Sequence, residues 1–105
     1  MEEYPSLSDT EIQGAQRLER ILRMTIILAR SHGHEQGVRM AKYVTKLIES
    51  QLTLPEYNIK VNEMVGQSFN PKVVELFEAN LPHLRAEVLS GRLDIDRIII
   101  KAVGQ

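Results

Sequence analysis

The one place in this chain where metal-type ligands cluster is His32-Gly33-His34-Glu35. A metal site needs three or four ligands converging from a supported shell. The third histidine, His83, is far off in sequence, and there is no cysteine at all. The segment therefore reads more simply as a polar turn with a helix-ending glycine. Nucleophilic catalysis would need a hydroxyl or thiol beside a base and an orienting group, but the serines fall at caps and turns with no histidine evidently paired to them. Acid pairs such as Glu75 with Glu78 and Asp94 with Asp96 fall where helix faces and N-termini place acids anyway. The six glycines are scattered singly, so no phosphate-cradling loop exists. No cofactor or metal is implied, and an enzyme or metal protein using His32, His34 and Glu35 is the weakest of three readings.

Basic residues are the next candidates. Residues 14–48 hold seven bases (Arg17, Arg20, Arg23, Arg30, Arg39, Lys42 and Lys46) against Glu19 and Glu35, in a chain whose net charge is −1. Arg39, Lys42 and Lys46 share one helix face, an electrostatic footprint for nucleic acid or an acidic protein if they are unpaired. Separately, residues 60–80 have the outline of a helix-turn-helix: a short helix, a glycine-bearing turn and a second helix. Its would-be reading helix carries one base, Lys72, beside Glu75 and Glu78, which is poor chemistry for a groove lined by phosphates. Nucleic-acid binding through either feature is the second reading, below protein binding.

The first reading rests on the far end of one helix. Met24 lies one heptad after Arg17 and Ile27 one heptad after Arg20, so with Leu28 the polar side of that helix turns apolar within two turns. A helix that is apolar all round must be covered all round. With few layers available in so short a chain, covering by the protein's own shorter helices is favoured. Covering by another chain would make Met24, Ile27 and Leu28 the anchor of an interface, with Arg20, Arg23, Arg39, Lys42 and Lys46 as a basic rim that steers an acidic partner.

These residues need elements to hold them. Ser8-Asp9-Thr10-Glu11 matches a capping box, and the stripe Ile12, Ala15, Leu18, Leu22, Ile26, Ala29 predicts a helix that stops near Gly33. A second helix follows with the stripe Val38, Ala41, Val44, Ile48 and Leu52, and Met40 and Leu47 on its shoulder. The short link implies an antiparallel pair. Thr53-Leu54-Pro55-Glu56 is another capping box, opening a short helix to about Val65. Asn70-Pro71 starts a fourth helix to about Asn80, Pro82 breaks or bends the chain, and a fifth helix holds Leu84, Val88 and Leu89. In the tail, Ile98-Ile99-Ile100 is a β-branched run, but with no second strand-like segment to pair with it, helix is the better assignment over 95–103.

The fold expected is all-α: a long antiparallel hairpin, about 8–31 and 35–51, with three or four shorter helices packed on it, in one domain over 1–105 whose first seven residues are flexible. At 43% hydrophobic and 26% charged residues the composition is that of a globular chain. The absence of cysteine suits a reducing, cytoplasmic location. The start Met1-Glu2-Glu3-Tyr4-Pro5 lacks a secretory pattern, and no apolar run approaches the ~20 residues of a membrane span. The function expected is a small adaptor, inhibitor or regulator that binds another protein through a helical surface, and also pairs as a homodimer. Few aromatics, no tryptophan and four methionines suit an adaptable contact surface better than a rigid small-molecule pocket.

Overall fold

A computed structural model describes residues 8–67 and 69–103, with side chains as far as Ile99. Five helices follow one another: α1 (Asp9–Arg30), α2 (His34–Ile48), α3 (Leu54–Val65), α4 (Pro71–Leu89) and α5 (Ile95–Val103). There is no strand among the described residues. The N-terminal seven residues, expected to be flexible, lie outside the described part.

Local chemistry starts these helices where the side chains direct. The Ser8 amide donates to Glu11 Oε1 at 2.8 Å and the Glu11 amide to Ser8 Oγ at 3.2 Å, a closed capping box. Thr53 and Glu56 repeat it on α3. Asn70 Oδ1 accepts from the Val73 amide at 2.9 Å, with Pro71 as the first residue of α4. Gly66 ends α3 at φ 74°, the left-handed conformation that glycine adopts without Cβ strain. The tail is helical, as the lack of a pairing strand implied.

α1 is the hub of the packing and touches all four other helices, most extensively α4 and α2. Its buried face, Ala15, Leu18, Leu22, Ile26 and Ala29, meets Met40, Ala41, Val44, Leu47 and Ile48 of α2, Tyr57 and Val61 of α3, Phe77, Leu81 and Leu84 of α4 and Ile98 of α5 in one core. Close approach is built in at two glycines. A Cβ on Gly37 would lie 2.9 Å from Arg30 Cβ and 3.2 Å from its Cα, and one on Gly14 would lie 1.9 Å from Asn80 Oδ1. At the other end of α2, the Arg85 guanidinium donates to the Leu47 carbonyl at 2.8 and 3.2 Å, satisfying an acceptor that the helix end leaves open.

Three expectations need correction. Pro82 does not break the chain, because α4 runs through it for 19 residues. Phe77, Leu81 and Leu84 stay on one stripe across the proline and are buried, and that burial offsets the ~3 kcal/mol an interior proline costs. α4 is consequently longer than the 15-residue α2 rather than a shorter helix laid on a hairpin. The buried stripe of α2 is also rotated. Met40 and Leu47, placed on its shoulder, are fully buried, whereas Val38 is only half-buried and Leu52 falls beyond the helix end.

Candidate functional site

On α1, steps of three and four carry Arg17, Arg20, Met24, Ile27 and Ser31 along a single seam, with Leu28 beside it. Met24 is 63% exposed, Ile27 39% and Leu28 46%. The shorter helices do not wrap this end of α1, which corrects the covering favoured from the sequence. They pack on the opposite side of the helix, where Leu22, Ile26 and Ala29 are fully buried. The face that looked too apolar for solvent is left open by the described residues, and Arg17 and Arg20, both exposed, continue it toward the helix N-terminus.

The basic rim expected around this anchor is dispersed. Arg20 sits on the α1 seam. Arg23 is half-buried, its Nε 3.6 Å from Glu19 Oε1 one turn earlier. Arg39 lies in a polar cleft with His32, Gln36, Tyr43, Glu63 and Met64. Lys42 and Lys46 flank a shallow apolar groove between α2 and α5, floored by Val38, Ala41, Thr45 and Ile99. Neither lysine is ion-paired among the described residues. This groove was hidden in the sequence because Val38 was counted toward the core. Its half-exposed position, and the approach of α5 some 60 residues later, are what open it.

The remaining candidates stay apart. His32, His34 and Glu35 are exposed around the start of α2, and no group of three or more His, Cys, Asp or Glu side chains converges on a common point among the described residues. The helix-turn-helix outline corresponds to α3 and α4, whose exposed Lys72, Glu75 and Glu78 carry the charges the sequence reading weighed against groove binding. A second apolar cleft, which that reading passed over, opens between α3 and α4 beside Phe69. No described helix is long and apolar enough to cross a membrane.

Two apolar helical clefts, one flanked by lysines and one with an acidic edge, stand beside the apolar face of α1. A family model described as "TAFH: NHR1 homology to TAF" matches residues 14–102. No curated protein and no solved structure matches the chain.

Proposed function

We propose, from the premise that this chain belongs to the TAFH family of helical protein-interaction domains, that it captures a partner protein by laying the partner's helix along the exposed seam of α1. The observation that carries this is the grouping of Met24, Ile27 and Leu28. Of the five large apolar residues left exposed among the described residues, three stand together on this one face. An apolar stretch of the partner covers that triad, and acidic residues one to two turns along it meet Arg17 and Arg20. The polarity of the seam sets the direction in which the partner lies.

Met24→Glu and Ile27→Glu test this. Both should abolish partner capture while circular dichroism and thermal midpoint stay those of the parent; unfolding of either variant would show that these residues serve the core. The same seam supports pairing of two copies, since an antiparallel arrangement sets Met24 against Ile27 of the partner subunit. Three residues a side are few against the roughly 20–30 of a stable interface, and a light-scattering mass of the monomer would remove that second reading.

The groove flanked by Lys42 and Lys46 supports the acidic character of the partner, and Lys42→Glu with Lys46→Glu should weaken capture and flatten its salt dependence. The same substitutions would abolish nucleic-acid binding if the basic residues served it, in which case affinity would fall steeply with salt. The absence of cysteine fits the nucleus as well as the cytoplasm, and TAFH domains occur in nuclear transcription regulators.

A further inference from the structure

The cleft between α3 and α4 is apolar like the α2–α5 groove, but its edge carries the opposite charge. Its walls are Leu54, Pro55, Phe69, Val74 and Phe77, and its volume is about 420 Å³, enough to admit a large side chain of another molecule. Beneath it lies the aromatic cluster. Phe69 and Phe77 have ring centroids 5.1 Å apart, and each lies close to 6 Å from Tyr57, at 6.2 and 6.1 Å. The floor is therefore built of packed aromatic rings. Outside the cleft, Ile59 follows Pro55 by one turn of α3 and is 57% exposed, so the apolar landing extends past the rim.

Two polar groups complete the site. Asn58 Oδ1 accepts from the Phe69 amide at 3.3 Å, which holds the loop closed and fixes the side-chain amide in the lining. Its NH2 makes no hydrogen bond among the described residues, and so is free to donate to a carbonyl entering the cleft. Glu78 stands at the edge, exposed, with Glu75 exposed one turn before it; neither is ion-paired among the described residues. The nearby cations are otherwise placed. Lys60 pairs with Glu63 at 3.8 Å and lies over the Tyr43 ring at 5.9 Å. Lys72 precedes Val74 by two residues, about 200° around α4 at 100° per residue.

We propose that this cleft is a second docking site, taking an extended, basic segment of a partner that inserts one large apolar side chain beside Phe69, gives a backbone carbonyl to the Asn58 amide and sets a lysine or arginine against Glu78. An extended segment fits best, because it offers carbonyls along its whole length, whereas a helix leaves them open only in its last turn. The site shares no residue with the α1 seam or the α2–α5 groove, so a chain seated here leaves the residues of both uncovered.

The probe is a short capped peptide with a central leucine and a lysine two positions on, titrated into the protein labelled for NMR. The expected result is saturable shifts at the Asn58 side-chain amide and at Phe69 and Val74, with affinity lowered about tenfold by Glu78→Lys, since opposed like charges cost more than a lost pair. Met24→Glu should leave this binding unchanged, which keeps it distinct from capture along α1. Equal binding of the Lys→Glu or Leu→Ala peptide, shifts centred on Met24 or Lys42 instead, or indifference to Glu78→Lys would overturn the proposal.

Discussion

The Tyr57 hydroxyl is a polar atom placed in the core. It is buried with no hydrogen-bond partner among the described residues, and burial raises the phenol well above its ordinary pKa. Thr25 is the neighbouring polar side chain, but its hydroxyl is already donated to the Ile21 carbonyl at 2.8 Å. An unsatisfied buried hydroxyl costs roughly 1–3 kcal/mol, whereas the ring itself supports Phe69 and Phe77. Tyr57→Phe should therefore raise stability by about 1 kcal/mol in urea unfolding, and a loss of stability would show that Thr25 does accept from it. Ser50 is a second residue with a local cost, at φ 63° just past the end of α2. Left-handed backbone is unfavourable for any residue with a Cβ, so Ser50→Gly should also stabilise. Neither feature is legible in the sequence. Tyr57 reads only as an inward apolar position, and nothing near Ser50 announces a positive φ, because each depends on where α2 and α3 end in space.

At the scale of elements, legibility follows the range of the interaction. The capping boxes at Ser8 and Thr53 involve residues three apart, and both were readable from residue type alone. The Ser8 amide and hydroxyl hold the Glu11 carboxyl below its ordinary 4.5, and the Thr53 hydroxyl and amide do the same for Glu56. A carboxyl with a lowered folded pKa contributes its stability above the unfolded value and loses it as pH falls through the folded one. Glu11→Gln with Glu56→Gln should thus melt below the parent at neutral pH and together with it below about pH 3, where both side chains are neutral. The failures came where burial overruled a local rule. Proline is a helix breaker by local rule, yet the stripe through Leu81 and Leu84 carries α4 past Pro82. Pro82→Ala should stabilise by about 1–3 kcal/mol. The α2 stripe was misplaced because several apolar sets fit its period, and only the partner helices decide between them. Gly37 is one place where α1 makes that decision: Gly37→Ala gains helix propensity but drives a Cβ into the Arg30 backbone, so it should lower the melting point rather than raise it.

Across the whole molecule, α1 does two jobs on two faces, and the sequence shows this only as excess. A central helix in a small domain is normally covered all round, and one at the surface normally shows a polar outer face. Here the buried face carries the core while the outer face keeps Met24, Ile27 and Leu28 exposed. The clefts were less legible still, because Leu54 and Val74 come to line one cleft, and Val38 and Ile99 the other, only after the chain has turned back on itself. If the outer face is spare to folding, its replacement should be nearly free. The triple variant Met24→Gln, Ile27→Gln, Leu28→Gln should keep its unfolding free energy within about 0.5 kcal/mol of the parent. Leu22→Ala, on the opposite side of the same helix, should lose about 2–5 kcal/mol. In the presence of a bound partner the order reverses in one respect: a ligand that binds only the folded state raises its stability in proportion to the logarithm of its concentration over Kd. The parent and a Lys42→Glu, Lys46→Glu variant should both melt higher as partner is added, the variant by less, while the triple variant should melt at one temperature throughout. A triple variant that still responds to partner would place capture on the α2–α5 groove and leave the apolar face of α1 without a role in it.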